Sequence, residues 1–176
     1  HDTEACLAEF LAVALFYNRS IQELVLRSCW SEGVSAFSIG SMLNTMFHLK
    51  ELTICHNRID AQTAGAIGLA LQKNESLRLL NLTGSSLDCA ASCALAPGLA
   101  RNSHLQSLIL DFNCFGDDGI DGLASMLKQN QSLEELHFFG NRVTGRGASR
   151  LSDALKVNAS LKTLIISFNQ IGDEGV

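Results

Sequence analysis

Cys55, His56 and Asp111 are the side chains whose types come nearest to a catalytic set. Cys55 and His56 are adjacent, and Asp111 occupies the matching outward position two strands away in the predicted sheet. A cysteine nucleophile needs a histidine base within hydrogen-bonding distance. Neighbouring residues of a strand point to opposite faces, and two strand spacings amount to about 10 Å. This spacing argues against a cysteine enzyme, and we predict no catalytic residues.

The other cysteines offer little metal-binding chemistry. Cys89 and Cys93 are four residues apart on a predicted helix, but no second cysteine or histidine pair with metal-ligand spacing accompanies them. Small buried hydrophobic side chains are the better interpretation of this pair. We therefore predict no metal and no cofactor.

Composition and charge narrow the class of protein. The 176 residues are 47% hydrophobic and 18% charged, which is typical of a globular chain and not of a disordered one. The longest apolar stretch, residues 10–17, is too short to span a bilayer. The net charge of -5 lacks the basic footprint of a nucleic-acid-binding protein. We expect a protein partner, with no nucleic acid and no membrane.

A 28-residue repeat runs through the chain and determines its predicted architecture. Each unit has apolar residues at its first, fourth and sixth positions, and most units have asparagine at the ninth. These positions read L-x-x-L-x-L-x-x-N, which is the leucine-rich-repeat signature. The units start at Ile21, Leu49, Leu77, Leu105, Leu133 and Leu161.

The two halves of each unit have different hydrophobic periods. The alternating L-x-L segment predicts a short strand. Apolar residues at offsets of three, four and seven predict a helix, and an asparagine such as Asn74 is expected to end it in the left-handed conformation. Because strands stack more closely than helices, the array must curve with its strands inside. We predict an α/β leucine-rich-repeat solenoid, a horseshoe with a parallel concave β-sheet and convex α-helices.

The array is predicted to occupy residues 1–176 as a single domain. Residues 1–20 match the second part of a unit, and the unit that starts at 161 is truncated. We therefore expect a piece of a longer array. The turn at Cys29 and Trp30 and the turn at 84–86 depart from the repeat pattern, and we interpret both as drift at tolerant turns.

The repeat resembles the ribonuclease-inhibitor type of leucine-rich repeat. The resemblance rests on the N-x-S-L step at 130–133 and on the G-x-x-G turns at 116–119 and 172–175. It implies a cytoplasmic horseshoe that binds proteins, and it carries no catalytic motif. The constant length of the units is similar to the arrays of NOD-like receptors.

Two classes of function remain open. The first is a non-enzymatic scaffold that binds a protein partner through the concave face, which presents a large surface of outward side chains. The alternative is a regulator of an enzyme, such as a GTPase-activating or inhibitor-type array, or the sensor array of a NOD-like receptor.

The predicted binding site is an apolar patch on the concave face of the last three units. Outward positions five, seven and eight form columns across the sheet, and except for Asp111 and Ser167 they form an apolar patch in these units but a more polar run in the first three. Contiguous exposed apolar surface that includes aromatic residues is typical of protein interfaces. Arg58 and Arg142 are expected to form a charged rim. The predicted contact residues are Ile109, Phe112, His137, Phe139, Ile165 and Phe168.

Overall fold

The computed structural model describes residues 14–15, 17–29 and 36–172, with side chains from Ser38 onwards in the last range. Most of the partial repeat 1–20, Trp30 and the end of the second G-x-x-G turn lie outside the described residues. The part that is described contains strands and helices in strict alternation.

Six strands form one parallel sheet in the order of the sequence. A helix follows each of the first five strands. The strands are β1 (Glu23–Arg27), β2 (Glu51–Cys55), β3 (Leu79–Asn81), β4 (Ser107–Ile109), β5 (Glu135–His137) and β6 (Thr163–Ile165). The helices are α1 (Ala36–Thr45), α2 (Ala61–Leu71), α3 (Cys89–Arg101), α4 (Gly116–Leu127) and α5 (Gly145–Leu155).

Strand pairing keeps the 28-residue register of the sequence. Leu24 lies beside Leu52, Leu52 beside Leu80, and Leu80 beside Leu108. The same register continues to Leu164. Because each of the first five units contributes a strand and then a helix, the predicted α/β leucine-rich-repeat solenoid is confirmed.

The core lies between the sheet and the helices. Leu52 and Ile54 of β2 are fully buried, and they face Ile67 and Leu71 of α2, which are fully buried as well. Leu164, in β6, is only partly buried, because no helix follows this strand among the described residues. The L-x-L columns and the helical apolar columns therefore form one continuous core.

The asparagines at the helix ends are not left-handed, so this prediction is wrong. Asn102 is extended, with φ -72° and ψ 132°. Its Oδ1 accepts hydrogen bonds from the backbone N–H groups of His104 and Leu105, and its Nδ2 donates to the carbonyls of Leu71 and Asn74 in the preceding unit. The side chain serves to shape the loop and to join two repeats.

A second asparagine series joins the turns that leave the strands. The Oδ1 of Asn113 accepts from the N–H groups of Ser85 and Leu87, and its Nδ2 donates to the Leu82 and Leu110 carbonyls. Ser85 replaces asparagine in the third unit, and its hydroxyl donates to the carbonyl of Ile54. The departure at this turn therefore retains one bond between repeats.

The Asp117 carboxylate connects α4 to the start of α5. It accepts hydrogen bonds from the Thr144 N–H at 2.8 Å, the Thr144 hydroxyl at 2.7 Å and the Gly147 N–H at 3.2 Å, and Arg146 Nε lies 3.3 Å away. Burial opposes ionisation of this group, but the Thr144 bonds and the Arg146 charge outweigh it and lower the pKa of Asp117. The charged form is thus favoured by folding.

We expect Asp117→Asn to destabilise the protein at pH 7 and to lose that effect in acid. A pKa lowered by folding stabilises the protein above the ordinary aspartate value, about 4, and this contribution is lost as the pH falls through the folded pKa. Urea unfolding of both proteins between pH 7 and pH 3 measures the difference. Asp118→Asn is the control, since that side chain is mostly exposed. A difference independent of pH would contradict the assignment.

Candidate functional site

The predicted contact residues on the strands form one row across the concave face. Ile109 pairs with His137, and His137 pairs with Ile165, in β4, β5 and β6. All three side chains are partly exposed, because they point away from the leucines of the core. On the other side of β4 the row continues through Asn81. The row is polar at Thr53 and Asn81, and it ends at the apolar and half-exposed Val25 of β1.

Three phenylalanines pack against one another where these strands end. The ring centroids of Phe112 and Phe139 are 4.9 Å apart in an edge-on arrangement, and those of Phe139 and Phe168 are 4.5 Å apart. Such pairs contribute about 0.5–1.5 kcal/mol each beyond their burial. Phe112 is nevertheless 60% exposed and Phe168 is 82% exposed. We call these three side chains the aromatic ladder.

Two residues of the ladder, Phe112 and Phe168, occupy a backbone position that favours glycine. The eighth residue of every described unit has a positive φ, between 50° and 66°. Two units place glycine there, whereas bulky side chains in this conformation are strained, at a cost of about 1–3 kcal/mol each. Ser28 and His56 adopt the same conformation, so the strain belongs to the turn of the repeat and not to the phenylalanines alone. The residues of the series are Ser28, His56, Gly84, Phe112, Gly140 and Phe168.

Gly140 makes room for the ladder. A Cβ at this position would lie 3.1 Å from Phe112 Cδ1, which is closer than ordinary van der Waals contact. The Asp111 carboxylate holds the backbone of Phe139 in place, because its Oδ1 accepts a hydrogen bond of 2.8 Å from the Phe139 N–H. Neither the contact at Gly140 nor the Asp111 hydrogen bond was predicted from the sequence, although glycine and phenylalanine alternate at the eighth position of the last four units.

The two predicted rim arginines lie at different distances from the ladder. Arg142 is exposed in the turn after β5, two residues beyond Gly140, and its φ is 61°. Arg58 is exposed in the turn after β2, and β3 separates that strand from β4. At strand spacing this is about 10 Å. Arg142 therefore borders the ladder, whereas Arg58 borders the more polar half of the sheet.

The cysteine, histidine and aspartate considered for catalysis do not interact. Cys55 is 3% exposed, and its thiol donates to Asn81 Oδ1 at 3.3 Å. Burial raises the pKa of the Cys55 thiol, which disfavours the reactive thiolate. His56 instead lies against Gly84, and Asp111 binds the Phe139 backbone. The arrangement lacks the nucleophile and base contact of a cysteine enzyme.

We also searched the part of the chain that the structure describes for metal sites, disulfides and membrane-spanning helices. No group of three or more histidine, cysteine or acidic side chains in these ranges could hold a metal ion. The cysteines described there, Cys29, Cys55, Cys89, Cys93 and Cys114, are all free thiols. The prediction that Cys89 and Cys93 are buried is wrong, because both lie on the solvent-facing side of α3. None of the described helices is both long enough and apolar enough to cross a bilayer.

Comparison with known proteins identifies leucine-rich repeats in this chain. A family model described as Leucine Rich repeat matches residues 101–124, 129–152 and 157–176. No curated protein matches the sequence significantly. The fold and this match show leucine-rich repeats arranged in a solenoid, an architecture with which protein binding is consistent.

Two solved structures are similar to this solenoid. One is leiomodin-1 actin-binding site 2, with 21% identity, coverage of 88% of this chain and 76% of that chain, and a TM-score of 0.61. The other is the tropomodulin C-terminal domain of Caenorhabditis elegans, with 18% identity, 77% and 84% coverage, and a TM-score of 0.62. At this identity the similarity establishes the fold. Neither neighbour is a ribonuclease inhibitor or a NOD-like receptor.

Proposed function

We propose that this protein is a non-catalytic scaffold that binds a protein partner through the concave face of its last three repeats. The observation that carries the proposal is the aromatic ladder, in which two phenylalanines remain mostly exposed at strained backbone positions. Exposed aromatic side chains near the centre of an apolar surface are frequent energetic anchors of interfaces. Ile109, His137 and Ile165 extend this surface along the strands, and Arg142 supplies a charged border.

A protein is the partner that fits this surface best. The concave face is an open sheet, and small ligands require an enclosed pocket. The overall charge of -5 opposes binding to nucleic acid. We further propose a cytoplasmic setting and a ribonuclease-inhibitor type of repeat, which the 28-residue units and the N-x-S-L steps support.

Actin is a second, more specific candidate partner. The leiomodin-1 structure is that of an actin-binding site, and the two chains share the fold. Actin is therefore the first purified partner to test. An enzyme regulator, such as a GTPase-activating array, would use the same surface and is recognised by stimulated hydrolysis when the protein is added to a GTPase.

The double variant Phe139→Ser, Phe168→Ser should bind its partner at least about tenfold more weakly while retaining the fold, because neither side chain belongs to the leucine core. A photo-crosslinking amino acid at position 168 captures the partner, and titration of the purified partner, with actin tested first, gives the affinities. Circular dichroism verifies folding.

A matched control removes exposed apolar surface elsewhere. Leu69 and Val157 are 69% and 61% exposed away from the concave face, so the pair Leu69→Ser, Val157→Ser should leave the affinity unchanged. Phe168→Gly serves as a second ladder variant, since glycine suits the positive φ at that position. If both ladder variants bind like the control pair, the partner binds at another surface.

A further inference from the structure

Basic charge is concentrated on one edge of the solenoid, where the helices end and the strands begin. Eight of the 13 lysine and arginine residues of this acidic chain lie there, against five acidic residues, Glu23, Glu51, Glu75, Glu134 and Glu135. We call this region the basic edge. Its members include Lys50, Lys73, Arg78, Arg101, Lys128 and Lys156.

Helix stability accounts for only part of this charge. Cations at helix C-termini interact favourably with the helix dipole, which explains residues such as Arg101 and Lys128. Arg78 has a structural role, because its guanidinium donates to the carbonyls of Glu75, Leu77 and His104. Lys50 precedes a strand, where no helix end requires it. Neither Lys50 nor Lys73 forms an ion pair within the described ranges.

An exposed phenylalanine lies beside these two lysines. Phe47 is 68% exposed, although the corresponding residues of the other described units are polar or small. The same unit has Met46, which is buried, where the others have the asparagine that joins repeats. The repeat pattern is thus broken at two successive positions, and an aromatic ring is exposed there. The corresponding residues are Arg19, Glu75, Ser103, Gln131 and Ala159.

Phe47 forms one wall of a groove of about 500 Å³. Lys50, Lys73, Glu75 and Ser76 line the remainder. The groove has an ordered floor, because the Ser76 hydroxyl donates to the Met46 carbonyl at 3.3 Å and the Ser76 N–H donates to Asn74 Oδ1. The groove therefore combines an apolar wall with two ammonium groups that have no ion-pair partner in the described ranges. Hydrogen bonds hold the loop beneath them in place.

We propose that this groove binds an acidic segment of a partner protein that carries one apolar side chain. The apolar side chain packs on Phe47, and carboxylates on either side of it pair with Lys50 and Lys73. The basic edge extends this complementarity along the next repeats, which also increases the rate of association. A peptide can place its uncharged residue beside the Glu75 carboxylate, whereas a nucleic-acid backbone is charged at every phosphate, so a peptide fits better than RNA. The surface is separate from the aromatic ladder, and this proposal does not depend on the scaffold function proposed above.

A direct test uses a short fluorescent peptide of aspartate and glutamate with one central phenylalanine. Anisotropy titration at low salt should show saturable binding that weakens as salt is added. Phe47→Ser and the pair Lys50→Glu, Lys73→Glu should each weaken binding about tenfold or more, since hot-spot truncations have effects of this size. A peptide with serine in place of the phenylalanine should bind the wild-type protein more weakly and should no longer respond to Phe47→Ser.

Two control variants and a comparison with RNA make the result decisive. Lys156→Glu changes a lysine of the same edge that is paired with Asp153, and it should have a much smaller effect. The ladder variant Phe139→Ser, Phe168→Ser should bind the peptide normally, which separates this site from the concave face. The proposal is overturned if Phe47→Ser binds like the wild type, if the serine peptide binds equally well, or if a single-stranded RNA of the same length binds more tightly than the peptide.

Discussion

Replacing Gly98 with alanine should destabilise the protein by about 3 kcal/mol or more, because it overpacks a backbone contact between helices. A Cβ at this position of α3 would overlap with the carbonyl oxygen and the carbonyl carbon of Gly68. These atoms belong to the backbone of α2, so the clash is relieved only if the two helices separate. Urea unfolding followed by circular dichroism measures the loss.

Gly65→Ala is the matched control for this contact. Its Cβ would lie 3.7 Å from the Ala94 Cβ, which is an ordinary contact across the same helix pair. Since glycine within a helix costs up to about 1 kcal/mol relative to alanine, this variant should be as stable as the wild type or more stable. The close packing of α2 on α3 would be disproved if Gly98→Ala unfolded at the wild-type urea concentration.

Asn113→Ala should lower the free energy of unfolding by a similar amount, about 3 kcal/mol or more. Asn113 is 3% exposed. Its Oδ1 accepts hydrogen bonds from two backbone N–H groups of the preceding turn, and its Nδ2 donates to carbonyls of two repeats. Alanine leaves these buried backbone groups without partners, and each such group costs about 1–3 kcal/mol. The free energy of unfolding in urea is again the measurement.

Two further substitutions calibrate the asparagine effect. Asn113→Ser should be intermediate, because Ser85 shows that a hydroxyl in this series retains a bond to the preceding repeat. Asn44→Ala should change stability by less than about 0.5 kcal/mol, since Asn44 is an exposed residue of α1. Equal effects for Asn113→Ala and Asn44→Ala would show that the asparagine series contributes little to cohesion between repeats.

The turns after β3, β4, β5 and β6 occur in two forms, and they explain where the ladder lies. Where the eighth residue is Gly84 or Gly140, a second left-handed residue follows two positions later, at Ser86 or Arg142. Where the eighth residue is Phe112 or Phe168, a glycine four positions later is left-handed instead. The phenylalanine turns carry the outer rings, and the glycine turn between them leaves space for Phe112. This alternation is what brings three rings into contact across three units.

The solenoid, its register and its core could be predicted from the spacing of apolar residues. This spacing is a local property, and repetition of the same spacing every 28 residues leaves one arrangement that buries every leucine column. Leu52, Ile67 and Leu71 are buried as their columns predict. The columns of the concave face follow from the same register, which is why Ile109 and His137 could be paired in advance.

The behaviour of the polar and strained residues became apparent only from the packed repeats. The conformation of Asn102, the burial of Cys55 and the stacking of Phe139 between two rings depend on atoms contributed by neighbouring repeats. Hydrogen bonds and ring contacts require distances within a fraction of an ångström, whereas hydrophobic burial tolerates any side chain of suitable size. Periodicity therefore identifies which residues meet across repeats, and packing determines which of them remain exposed, as Phe47 and Phe168 do.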